Sequence, residues 1–501
     1  MSNIKPLLLA FTLLMTFPAC NDFLSEVQPK DNLPITSVFQ TAEDLESALN
    51  GVYNILQHPA IAGVNLLLYG DLLSRNGIFT ISGFPEEFDI ANQTLRSSNF
   101  RVAQTWTKTY EAINLINNIL DALETTQDAS LNAGKGERIR GECLFLRGVL
   151  HFELVKLYGI PYNISPEQDG VPLITRAVLE SSSLTFPFRE SVAAIYSQIE
   201  EDLNTAKALL PMSRPKDRAN PAAAVAYLAR VAFQKEDYSN VIIHTQNLFD
   251  NYGLSLTETP SDFFTNEDNS ELIWAISYTP SDPNTGMDGG KAAWFHENQA
   301  RISISPALKV AFNQIITNEQ KQALSDVGLQ GVDLRTTADL PNNFPLVSND
   351  LNYTNKYEEV GGNSDDTPMA RLAEFYLMAA EAIARTEGIT PQSIHLLNVI
   401  RLRALRGLDA VGNEVSSSTF TGIIQYKLEN FPGAIGLENF IETLAVERRV
   451  ELCFEGNYLH DLVRLKKSVQ DIPFSDCRLR LPIPQREIDV NSNLTQNGDC
   501  Y

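Results

Sequence analysis

The chain has 501 residues, with 62 acidic against 39 basic side chains and a formal net charge of -23. That length leaves ample core for several domains or for one large helical array. The charge excludes a basic footprint for phosphate backbones, so nucleic acid is not an expected partner.

The first 20 residues differ in kind from the rest. Lys5 is their only basic side chain, and Leu7 to Phe17 form an apolar run of signal-peptide length, too short to span a bilayer. Phe17-Pro18-Ala19-Cys20 resembles a bacterial lipobox, in which the cysteine is acylated and becomes the new N-terminus. An ordinary secretory cleavage nearby is the alternative. More than one acyl chain gives stable anchoring, and no second apolar stretch approaches 18 residues. The reading is a signal peptide over 1–19, lipid on Cys20, and a polar tether over 20–32.

Order is expected from about residue 33. Thr41-Ala42-Glu43-Asp44 opens a helix with a hydroxyl cap and first-turn acids, and Leu45, Ala48, Leu49, Val52 and Tyr53 recur at helical spacing. Residues 63–100 lose the period and gather Gly, Ser, Asn and aromatics, so a long loop is expected there. The period returns at Trp106, Tyr110, Ile113, Ile116, Ile119 and Leu120, and again from Ile139 to Leu157, where Gly159 and Pro161 stop it. Val192 to Ala206 and Pro221 to Phe233 form further helices, with a turn at Lys235 to Tyr238 and another helix from Val241 to Phe249. Helix, short turn around an aromatic, helix is the manner of tetratricopeptide repeats, although no strict 34-residue period is kept.

Residues 253–367 are the least regular, with a β-like run at Leu272 to Ile276 and turn clusters at 280–284 and 288–290. Strong helices resume at Arg371 to Arg385, Ser393 to Leu405 and Leu437 to Phe454, and 481–501 reads as extended. The expected fold is mainly α: tetratricopeptide-like helical hairpins in an α-superhelix, with long irregular loops and a few short strands. Its regions are an N-terminal helical part over 33–252, an irregular part over 253–367 and a C-terminal helical part over 368–501.

Of five cysteines, Cys143 and Cys453 sit among apolar helical neighbours and read as core. Cys477 and Cys500 lie in irregular sequence, and an oxidising compartment makes them a disulfide candidate. No CxxC or paired histidine offers a metal site, and no cofactor signature is present. Glu447, Glu451 and Glu455 fall on one helix face, as paired carboxylates for hydrolysis might be sought. A buried network with Arg401, Arg403, Arg448, Arg449 and Arg464 is the better reading, with Glu374 and Glu381 in similar networks. No catalytic residue is assigned.

Several segments together resemble the SusD/RagB family of outer-membrane nutrient-binding lipoproteins, across essentially the whole mature chain. They are Pro368 to Ala382, Leu397 to Ala404, Glu447 to Gly456 running into His460 to Arg464, the closing Leu481-Pro482-Ile483-Pro484 with Asn493 to Asn497, and Arg147 to Pro161. One departure is Asn457-Tyr458, where the family commonly has Arg before an aromatic. The resemblance implies a non-catalytic lid, anchored by lipid in the outer membrane and facing the exterior, over a SusC-like TonB-dependent barrel transporter. It implies a glycan ligand, with a peptide as the alternative, and a surface glycosidase is the rival from another class. A sugar needs flat aromatic faces with polar groups from loops. Trp106 and Trp274 read as core. The glycan-binding candidates are Tyr278, Trp294, Phe295 and His296 from one irregular stretch and Arg75, Asn76, Phe79, Phe84 and Phe88 from the other, with the two expected to meet over one surface.

Overall fold

The computed structural model describes residues 39–501 except positions 80, 133, 179–185, 214, 267–268, 285–289, 297–300, 339, 341–342, 349 and 360. The expected signal peptide, Cys20 and the whole tether over 20–32 thus lie outside the described residues. Among the described residues no helix is long and apolar enough to cross a membrane.

The fold is mainly helical, as the sequence pattern predicts. Helix α1 (Ala42–Gln57) begins with a reciprocal capping box between Thr41 and Asp44. It packs on α4 (Phe100–Thr125), and from there a continuous stack runs through α5 (Lys135–Tyr158), α6 (Val192–Leu209), α7 (Pro221–Gln234) and α8 (Tyr238–Asn251), each packed against the one before. Side chains of Ser191, Asn220 and Asp237 cap the last three, and Pro221 occupies a first-turn position where its missing N–H costs nothing. The chain then leaves the stack through 253–367 and returns as α13 (Leu372–Glu387), which packs on α8 and on α14 (Pro391–Ala404). Helix α16 (Gly436–Glu451) packs on α13. Trp106 and Trp274 are core residues, and Cys143 and Cys453 are buried free thiols.

Residues 63–100 are not the single long loop expected. They hold α2 (Asn65–Leu73), β1 (Gly77–Phe79) and α3 (Pro85–Ala91). Leu67 through Leu73 are all buried, so α2 has no polar face and shows no amphipathic period. The 253–367 region carries β2 (Leu272–Ile276), β3 (Ile302–Ile304) and β4 (Gln330–Asp333), with short helices α9 (Pro260–Thr265), α10 (Lys291–Phe295), α11 (Pro306–Gln314) and α12 (Asn318–Asp326). Three antiparallel pairs form: β1 with β3, β2 with β5 (Thr367–Arg371), and β4 with β6 (Leu405–Leu408).

An ionic network joins these parts. The Glu451 carboxylate accepts from Arg335 at 3.1 Å, Arg371 at 2.9 Å and Arg403 at 2.5 Å. Glu447 pairs with Arg335 and Arg401, Glu455 with Arg371 and Lys356, Glu271 with Arg371 and Arg403, and Asp333 with Arg335. Five acids and five cations thus balance in the interior. Arg448 pairs with Asp461, Arg464 with Glu381, and Glu374 with Arg230. Arg449, expected in the same network, has no carboxylate within 4 Å among the described residues, because its side chain leaves the opposite side of α16 toward Asn76.

Helices α15 (Ser418–Ile424) and α17 (Tyr458–Arg464) flank α16, and the stretch 481–501 is not wholly extended, since it holds α18 (Gln485–Val490). Cys477 and Cys500 are joined in a disulfide, their Cα atoms 6.0 Å apart. The tail lies against the N-terminal stack: Leu481 N donates to Leu157 O, Asn497 Nδ2 to Tyr158 O, and Arg189 to Thr495 O and Asn497 Oδ1.

Burial pushes the Glu451 carboxyl up, but the three guanidiniums outweigh it and hold it well below the usual carboxylate range. Its stabilisation is therefore full above the unfolded value near ~4.3 and is lost as pH falls through the folded one. We expect Glu451→Gln to cost about 3–5 kcal/mol at neutral pH by leaving guanidiniums uncompensated. Urea midpoints should show that gap narrowing in acid below about pH 4.

Candidate functional site

The site begins with a clamp on α2. The Asp71 carboxylate accepts from Asn76 Nδ2 at 3.0 Å, Phe454 N at 3.2 Å and Gly456 N at 3.3 Å. Burial pushes this carboxyl up to about 6, against the opposing hydrogen bonds. Beside it Gly70 lies backbone to backbone against Gly456: a Cβ on Gly70 would meet Gly456 O at 2.2 Å. Gly456 itself has φ +78°, a conformation suited to glycine. The clamp sets where β1 starts, and Ser305 N donates to Asn76 O where β3 ends.

Pairing of β1 with β3 brings the two irregular stretches together. Gly77 lies opposite Ile304 and Phe79 opposite Ile302. Behind the ribbon, Trp294 on α10 stacks on Phe79 at 6.4 Å between centroids and meets Phe84 edge-on at 6.5 Å. The guanidiniums of Arg101 and Arg301 lie 4.7 and 4.5 Å from the Trp294 ring centre. Arg301 also covers Phe84 at 4.8 Å. Arg101 is held by an ion pair to Glu87 on α3 and by Asn65 Oδ1 at 2.9 Å. Tryptophan, phenylalanines and arginines thus form one layered cluster.

The nine candidates divide within it. Asn76, Phe79, Tyr278, Trp294 and Phe295 are buried, so in this arrangement they offer no face to solvent. Tyr278 donates its hydroxyl to Gln57 O at 2.8 Å, and Phe295 packs on Tyr357 and Phe454. Arg75, Phe84 and His296 are half-buried, and Phe88 is 55% exposed. Arg75 sits at φ +58° and donates to Gln93 Oε1 at 3.1 Å.

Sequence reasoning left out Phe100, which is 52% exposed, and Ile78 on the open face of β1. Phe100 N donates to Glu86 Oε2 at 2.9 Å, which ties the start of α4 to α3, the helix that carries Phe88. Arg101 and Arg301 were also absent, and no motif surrounds either. Among the described residues, the only cluster with metal-ligand spacing is Asp476 with Cys477 and Cys500, whose sulfurs are bonded to each other.

Two family profiles match the chain: one described as "Starch-binding associating with outer membrane" over residues 22–233, and the SusD family over residues 317–475. The chain belongs to the SusD/RagB family. The SusD-like protein P2 of Formosa agariphila is 26% identical, covering 98% of each chain. A SusD-like protein of Bacteroides ovatus is 22% identical over 92% of this chain and 82% of its own. A SusD superfamily protein from Bacteroides thetaiotaomicron shares the fold with a TM-score of 0.73 at 23% identity, over 92% of this chain and all of its own. So does a laminarin-binding SusD-like protein, with a TM-score of 0.66 at 20% identity, over 91% of this chain and 99% of that one. Association with the outer membrane is thus a property of the family and not of one relative.

The Gly70–Gly456 contact yields a test of how the SusD-like site is positioned. We expect Gly70→Ala to cost about 3 kcal/mol or more, because the added methyl meets backbone that cannot turn aside. Gly51→Ala, whose Cβ would meet only Leu115 at 3.6 Å, should be neutral or stabilising. Urea denaturation of the two variants measures the difference.

Proposed function

We propose that this SusD-family chain is a cell-surface lipoprotein, acylated at Cys20, that binds a poly- or oligosaccharide and passes it to a SusC-like TonB-dependent transporter. No bond is broken in this process. The observation that carries the reading is the convergence of two irregular stretches at the β1–β3 ribbon. There the half-buried Phe84 packs on Trp294, and Phe88 and Phe100 are exposed on α3 and at the start of α4 beside it. Arg75 and His296, half-buried on the same two stretches, supply polar groups for a sugar's hydroxyls. Exposed rings beside a packed cluster suit the apolar faces of pyranoses.

The comparisons lend support to a carbohydrate ligand. The laminarin-binding neighbour has this fold, as does a putative sugar binding protein from Bacteroides vulgatus, with a TM-score of 0.70. Capture rather than hydrolysis is supported by the state of the helix-face glutamates. Glycoside hydrolysis needs one carboxyl held protonated beside an ionised partner in an open cleft. Glu447, Glu451 and Glu455 have buried carboxylates that guanidiniums already occupy.

Affinity electrophoresis of the full chain against laminarin and a panel of plant, fungal and bacterial polysaccharides tests this. One polymer should retard the protein, and Phe88→Ala and Phe100→Ala should each weaken that binding about fivefold, as the loss of an aromatic contact of about 1 kcal/mol requires. Trp294→Ala should abolish it by collapsing the cluster. Retardation by none of the polymers would remove the glycan reading.

A further inference from the structure

A groove of about 460 Å³ lies between α11, α16 and α17, its walls including Ala311, Gln314, Ala445, Arg449, Tyr458 and Lys467. That volume is within the ~300–1,000 Å³ typical of small-molecule sites. Three other cavities in the fold are only about 20–40 Å³. Alanines at 307, 311 and 445 keep the groove open, and Val310 forms an apolar ridge that is 52% exposed.

One wall holds a cation without a direct carboxylate partner among the described residues, the nearest acid, Asp71, acting on it only through Asn76. Arg449 Nε donates to Asn76 Oδ1 at 2.9 Å, and the guanidinium lies over the Tyr458 ring at 4.4 Å. No carboxylate lies within 4 Å of it among the described residues, and its two terminal nitrogens make no hydrogen bond to protein while keeping contact with solvent. The acids bordering the groove are already engaged: Glu442 by Lys467 at 2.5 Å, and Asp461 by Arg448 at 3.1 Å and Arg464 at 3.6 Å. Burial holds the Arg449 guanidinium below its ordinary value, so its charge is poorly solvated. In a chain of net charge -23, an arginine without a direct acidic partner stands apart from Arg448, Arg464 and Lys467, which have them. Half-buried, planar and backed by an aromatic ring, it is set to receive a bidentate anion from the groove.

We propose that this groove is a second saccharide-binding site, and that it takes a sugar bearing a carboxylate or a sulfate ester. The anion sits on the two terminal nitrogens of Arg449, and the sugar ring packs against Tyr458 and the alanines of α11 and α16. This site does not depend on the aromatic cluster at the β1–β3 ribbon.

The test is calorimetric titration of the full chain with D-glucuronate, D-galactose 6-sulfate and D-glucose as separate probes. At least one acidic sugar should bind and glucose should not, and the acid that binds identifies the anion. Arg449→Gln should weaken that binding about tenfold or more, as loss of a charge-assisted pair requires. Ala445→Trp, which fills the groove and leaves Arg449 in place, should abolish it. Retardation by the polysaccharide panel should persist in Ala445→Trp, and binding of the acidic sugar should persist in Phe88→Ala. The proposal is overturned if neither acid binds at millimolar concentration, if glucose binds equally, or if both groove variants bind as the wild type does.

Discussion

Glu451 is the point on which the rest of the structure depends. A carboxylate in the interior is tolerable only when its charge and its lone pairs are answered, and here three guanidiniums from distant parts of the chain answer them. Replacing such a network with apolar side chains need not weaken a fold, so its role is better described as selecting an arrangement. Arg335 follows β4, Arg371 ends β5, Arg403 lies in the last turn of α14, and Glu451 ends α16. Only one relative placement of those four elements puts five acids and five cations in register.

The placement is passed on to the site through backbone. Just past Glu451 the chain turns through Phe454 at φ +59° and Gly456 at φ +78°, and their amides reach Asp71. Asp71 holds Asn76, and Asn76 opens β1, over which the aromatic cluster assembles. Asn76 also receives Arg449, so the ribbon and the acidic-sugar groove share one anchor while presenting different surfaces.

Much of the helical frame was legible in the sequence because its helices have one wet face and one dry face, and because hydroxyl, amide and carboxylate caps mark their starts. Helix α2 was illegible for the opposite reason: wrapped on all sides, it has no alternation to detect. The acids of α16 announced a network through their spacing of four, and Arg401 and Arg403 were found with them. Arg335, Arg371, Lys356 and Glu271 were not, since a salt bridge between residues about a hundred positions apart leaves no local trace. Among the aromatic candidates, composition marked the two stretches that the β1–β3 pairing brings together. Which rings are buried and which reach water depends on the β1–β3 register, a long-range pairing that sequence spacing does not encode.

The tail's position has a consequence in time. Arg189 and the end of α5 finish their hydrogen bonds on residues more than 300 positions further along the chain. Pairings of such separation close late, because the loop entropy must be overcome before the contact gives anything back. The N-terminal stack therefore stays open at one end until the last twenty residues have arrived, and the Cys477–Cys500 bond then locks a segment whose docking completes it. The end of α5 is made early and sealed late, by a residue that leaves synthesis 339 positions after it.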